Sequence, residues 1–78
     1  MVYRVLGRLR WKGRLREAEV VILHRGAPGD RKSIPGEKIV EVKKGYFIYV
    51  NTLGRETVIP YHRVLEVRRD GKRIWEKP

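Results

Sequence analysis

The chain contains no cysteine and no glutamine, and only one asparagine, one methionine and one serine. Without cysteine there is no disulfide scaffold, no thiolate zinc site and no thiol nucleophile. The lone serine, Ser33, has no sequence context that marks a nucleophile, so a serine triad is excluded as well. The longest aliphatic run, Val20 to Leu23, is far too short to cross a bilayer. Charges interrupt the first residues every few positions, so they do not read as a secretory leader. The expectation is a soluble cytoplasmic protein with no membrane partner. The scarcity of thermolabile side chains points to a hot habitat.

What the chain has is positive charge. Nineteen Lys and Arg oppose nine Asp and Glu, for a net charge of +10 over 78 residues. Thermostabilising ion-pair networks need both signs in comparable number, so an excess of ten cations repels itself and must be useful or tolerated. Nucleic acid is the partner such a surplus fits first. The first sixteen residues carry Arg4, Arg8, Arg10, Lys12, Arg14 and Arg16 and no acid, whereas the rest of the chain mixes signs. That asymmetry predicts a directional patch.

Length allows one domain, residues 1–78, whose folding buries only about 60% of the unfolded surface. Val2, Val5, Leu6 and Leu9 fall within about 100° on a helical wheel, with Arg4 and Arg8 opposite, so residues 2–11 are predicted as a short helix. Trp11 lies off that stripe and is expected to mark the helix end and fold back onto the core; an exposed stacking platform is the functional alternative. Strands are predicted at 20–23, 39–42, 46–50, 56–59, 64–68 and 72–75, with Asp70-Gly71 as a hairpin turn. Residues 25–37, dense in glycine and proline, read as a loop, and the tail 76–78 as frayed. The fold class is α+β: one short N-terminal helix packed on a small antiparallel sheet or partly closed barrel of five to six strands. No solenoid-period repeat is evident, and the flanks of the two His-Arg dipeptides differ too much to make them one.

Those dipeptides are the chemical signal. His24-Arg25 follows a predicted strand and His62-Arg63 precedes another, and residues at strand ends can converge on one rim. A guanidinium beside an imidazole disfavours a second charge, and an anion between them reverses that. The loop "HRGAPGDRK" adds donors: Gly26, Ala27 and Gly29 through backbone N–H groups, as in anion nests, and Arg25, Arg31 and Lys32 through side chains. Asp30 is expected to orient an arginine or an amide. The glycine spacing is not that of a nucleotide-binding P-loop. Two histidines can equally serve as acid and base on an RNA phosphodiester, with a cation stabilising the phosphorane.

"HRGAPGDRK", then "IPYHRVLEV", then "DGKRIW" together resemble the RNA cyclic-group end recognition domain family, over nearly the whole chain. The resemblance implies recognition of RNA ends that bear a cyclic phosphate, and it points to His24, Arg25, Gly26, Pro28, Asp30, His62 and Arg63. Gly29, Arg31 and Lys32 join them from the loop chemistry. Arg4, Arg8, Lys12 and Arg14 would hold the adjoining backbone by salt-sensitive attraction. The expected protein is an RNA-binding module for 3′ ends, a monomer or small homo-oligomer, with no cofactor and no metal. It would work beside an RNA-processing partner enzyme. Two alternatives stand beside it: a metal-independent ribonuclease or cyclic phosphodiesterase using His24 and His62, and a nonspecific basic nucleic-acid binder.

Overall fold

A computed structural model describes all 78 residues. Helix α1 spans Val2–Trp11, and a 3₁₀ turn at Leu15–Glu17 leads into β1, Ala18–Leu23. The remaining strands are β2 Arg31–Pro35, β3 Ile39–Val42, β4 Tyr46–Val50, β5 Glu56–Pro60, β6 Val64–Arg69 and β7 Lys72–Glu76. Two antiparallel sheets result, one ordered β2-β1-β6-β7 and the other β3-β4-β5. The fold is therefore α+β as expected. The sheets do not close into a barrel, and there are seven strands where five or six were predicted.

The additional strand is β2, which lies inside the segment read as a loop. It pairs with β1 from Glu19↔Pro35 to Leu23↔Arg31. Only Ile34 of its five residues is fully buried, because β2 is an edge strand anchored by a single inward side chain. Such a strand carries no alternation to read, and a terminal proline is tolerated at an edge. At the other end, Asp70 and Gly71 both adopt left-handed backbone (φ 52 and 78), the hairpin geometry that Asp-Gly predicts.

The helix forms where predicted. Val2, Leu6 and Leu9 are buried, and Arg8 and Arg10 in the last turn complement the helix dipole. Trp11 does not fold back: it is 90% exposed. The next residue, Lys12, keeps helical backbone, so the indole stays on the outward face with Arg4 and Arg8 while the apolar stripe points the other way. One core joins the helix to both sheets through Leu6, Val20, Ile22, Ile34, Phe47, Ile59, Val64 and Val67. Each such side chain contributes about 1.5–3 kcal/mol on burial.

The structure also reveals a repeat that sequence reading passed over. "IPGEKIVEV" (34–42) and "IPYHRVLEV" (59–67) each form strand, 3₁₀ corner, strand. The first corner carries the chain from β2, beside β1, to β3, beside β4; the second carries it from β5, beside β4, back to β6, beside β1. Both outgoing strands skip one residue in their register, Val40 in β3 and Leu65 in β6. The central strands β1 and β4 are thus each flanked by a hairpin partner and by the strand leaving a corner.

Candidate functional site

The site follows from the pairing of β1 with β6. Ile22 registers with Val64, so the residues just past each, Leu23-His24 on one strand and Arg63 on the other, lie side by side. The Arg63 guanidinium donates through Nε (3.2 Å) and Nη2 (2.9 Å) to the Leu23 carbonyl. Its Nη2 also lies 3.4 Å from Nδ1 of His24. A guanidinium has no acceptor to offer, so in this contact Nδ1 can only accept, which leaves Nε2 as the ring's donor nitrogen. Nη1 of Arg63 stays unengaged. Leu23, His24, Arg25, His62 and Arg63 line an open hollow of about 430 Å³. No carboxylate lines it.

The loop after His24 closes on itself. The His24 N–H donates to the Asp30 carbonyl (2.8 Å), Ala27 N–H to the His24 carbonyl (3.2 Å) and Asp30 N–H to the Ala27 carbonyl (2.8 Å). The Asp30 carboxylate accepts from Gly26 N–H at 3.3 Å, the amide-orienting role expected of it. Gly29 and Asp30 both take left-handed backbone (φ 65 and 55), a conformation glycine and aspartate tolerate. The expected nest is therefore not formed by Gly26 and Ala27, whose N–H groups bond within the loop. With Pro28 at the start of its 3₁₀ turn, these residues shape the loop that holds His24 and Arg25.

Arg31 and Lys32 do not line the hollow. Arg31 lies 3.9 Å from Glu66, a 4%-exposed carboxylate that also pairs with Arg68 and Arg73. The Lys32 ammonium donates to the Tyr49 hydroxyl at 3.2 Å and sits over that ring. Of the helix cations, Arg8 and Lys12 border a separate hollow floored by Val5, Leu9 and Ile74, and Arg4 is exposed. Arg14 is paired with Glu17 at 3.4 Å.

Sequence reasoning missed three residues around His62. Lys77, placed in a tail expected to fray, donates its ammonium to the His62 carbonyl (2.7 Å) and its N–H to the Leu65 carbonyl (2.9 Å). Tyr61 and Trp75, with Val2, His62 and Lys77, border a second hollow of about 420 Å³. Tyr61 donates its hydroxyl to the Lys43 carbonyl and stacks on Phe47, ring centroids 6.2 Å apart. Burial, aided by the neighbouring Tyr3 phenol, pushes its pKa up to about 12. The available signal was the hairpin "DGKRIW", which returns Trp75, and Lys77 just after it, alongside β6.

Comparison with known proteins places the chain. Residues 1–77 match the family described as the MJ1316 RNA cyclic group end recognition domain. The UPF0248 protein of Thermococcus kodakarensis is 46% identical over 78 residues, covering 96% of this chain and 89% of the relative. The UPF0248 protein of Pyrococcus abyssi is 42% identical, over 96% and 87%. That of Methanocaldococcus jannaschii is 37% identical, over 99% and 94%. These relatives come from thermophilic archaea, in keeping with the composition. No solved structure matches the chain. No helix is long and apolar enough to cross a membrane.

Proposed function

The chain belongs to the MJ1316 RNA cyclic group end recognition domain family, and we propose that it is an RNA-binding module whose first hollow holds a 2′,3′-cyclic phosphate at an RNA 3′ end. One observation carries the reading: Arg63 bridges the Leu23 carbonyl and the His24 ring, which joins both His-Arg pairs in a single basic rim.

The chemistry matches a cyclic phosphate. That group carries one negative charge and two free oxygens. His24 offers Nε2–H, Arg63 its free Nη1, and Arg25 and His62 stand exposed beside them. Hydrogen bonds to charged groups contribute about 1.5–3 kcal/mol each, so a few fixed donors give a specific end site. Contacts to the terminal ribose would separate RNA from DNA. The helix cations Arg4, Arg8 and Lys12, which make no ion pair, supply nonspecific attraction for the upstream backbone. Chemistry on the held end is left to an RNA-processing partner.

The test is affinity for one short RNA ending in cyclic phosphate, phosphomonoester or hydroxyl. The cyclic end is expected to bind at least about tenfold more tightly than the hydroxyl end, the equivalent of one charge-assisted hydrogen bond. Equal affinities would reduce the protein to a basic surface. The acid–base alternative draws on the presence of both histidines in one hollow. Incubating cyclic-ended RNA in chelator decides it: ring opening that is lost in both His24→Ala and His62→Ala would establish an enzyme, and intact ends would leave a binder.

A further inference from the structure

We infer that the second hollow, across His62 from the first, receives the base of the RNA's terminal nucleotide, with the Trp75 indole and the Tyr61 ring as its apolar walls. The inference rests on the reading of the first hollow as the phosphate site.

His62 lines both hollows. The two hollows therefore adjoin across one side chain, as the base and phosphate of a nucleotide adjoin across one ribose. The two hollows differ as the two ends of a nucleotide differ. The first presents imidazole and guanidinium groups, and the second presents mainly aromatic and aliphatic ones together with His62 and Lys77.

The walls are held in place before any ligand arrives. Trp75 registers with Val67 and packs on the core while remaining part-exposed, so one side of the indole is fixed and part of it is open. Tyr61 is tethered by its hydroxyl and packs against Tyr3 (tilted, centroids 6.1 Å apart) and Phe47 (stacked, 6.2 Å apart). Lys77 pins the His62 backbone between the hollows. Preorganised aromatic walls bind a base without much further loss of side-chain freedom. Stacking accepts any base, so the subsite adds affinity with little sequence preference and favours the larger purines. Trp11 offers no such place, because its indole is 90% exposed and no hollow contains it.

The experiment uses the full chain carrying Trp11→Phe, which leaves Trp75 as the sole indole. It is titrated with adenosine 2′,3′-cyclic phosphate and with methyl riboside 2,3-cyclic phosphate, which lacks a base. The nucleotide is expected to quench Trp75 and to bind about tenfold more tightly than the base-free probe. Trp75→Leu should bring the nucleotide down to the affinity of the base-free probe and leave the latter unchanged. Trp75→Phe keeps a stacking face and should stay within about threefold of the parent. Equal affinities for the two probes, or an indole that does not respond, overturn the base subsite and leave the phosphate reading standing. Plain adenosine binding as tightly as the cyclic nucleotide overturns the phosphate reading instead, and no binding by either cyclic probe overturns both.

Discussion

Pro35 and Pro60 enter their corners with φ −62, ψ 134 and φ −66, ψ 147, and Ile39 and Val64 leave with φ −76, ψ 122 and φ −76, ψ 125. The backbone is the same; the side chains are not. In the first corner Gly36 is buried against the 3₁₀ turn at Leu15–Glu17, and a Cβ there would lie 2.8 Å from the Ala18 carbonyl oxygen and closer still to that of Leu15. In the second, Tyr61 occupies the matching position and turns its ring into the aromatic cluster, while His62 and Arg63 face the hollow. The hairpins opposite differ in the same sense. Asn51 follows β4 as His24 follows β1, but its amide accepts from Leu53 and Arg55 N–H groups and donates to Thr57, so it is consumed by its own turn. The matching hollow, about 150 Å³ and lined in part by Lys32, Lys38 and Asn51, has the Lys32 ammonium already on the Tyr49 hydroxyl. One scaffold used twice yields a sealed joint at one end and an open basic rim at the other.

The largest expected effect breaks the sealed joint. Gly36→Ala forces a methyl group into backbone that cannot yield cheaply, and should destabilise the fold by more than about 4 kcal/mol. Tyr61→Ala at the matched position removes a half-buried ring and should cost about 2 kcal/mol, below the range for fully buried aromatics. Urea denaturation of the two variants measures both. A Gly36→Ala protein as stable as the parent would mean the first corner is as open as the second.

A binding measurement sharpens the comparison next. Arg63→Ala should weaken affinity for cyclic-ended RNA by about 10- to 100-fold, the size of a lost charged hydrogen bond. Lys38→Ala, the matched residue of the first corner, should change it by less than about twofold, as expected of a nonspecific cation. Arg63→Lys keeps the charge but loses the fork that joins Leu23 to His24, and should behave more like alanine than like arginine. Equal losses at positions 38 and 63 would assign binding to overall charge and dissolve the distinction between the corners.

The sequence carried the helix, the Asp-Gly hairpin and most strands, because their apolar periodicity or turn chemistry is local. It hid β2, since a one-anchor edge strand carries no pattern, and it hid the exposure of Trp11, since the direction in which a helix ends is settled by the residues after it. The corner repeat was legible in principle as Ile-Pro, three residues, then a β-branched residue, an aliphatic one and Glu-Val. Glycine against tyrosine and acid against imidazole masked it. The convergence of the His-Arg pairs depends on the β1–β6 register, a long-range fact that no local stretch encodes. The same is true of Tyr61, Trp75 and Lys77, which the second hollow gathers from a corner and a terminal hairpin.

The smallest effect lies in the one group that titrates unusually. The Tyr61 phenol ionises at about 12 in the folded protein against 10.0 in its ordinary state. Below pH 10 both folded and unfolded chains keep the proton, and the contribution of the tethered phenol is fully present. Between pH 10 and 12 the unfolded chain loses the proton while the folded one retains it, so stability falls as pH rises through that window. Tyr61→Phe removes the titration together with the bond to the Lys43 carbonyl. At neutral pH it should cost about 1 kcal/mol, the net worth of one hydrogen bond. Near pH 11.5 the parent has lost part of its advantage and the gap should narrow, which paired urea titrations at the two pH values would resolve. A gap that stays constant would mean the hydroxyl is open to water and the second corner is less tightly packed on its inner side. Gly36 brings no titrating group to the first corner, so this pH dependence should mark the open corner alone.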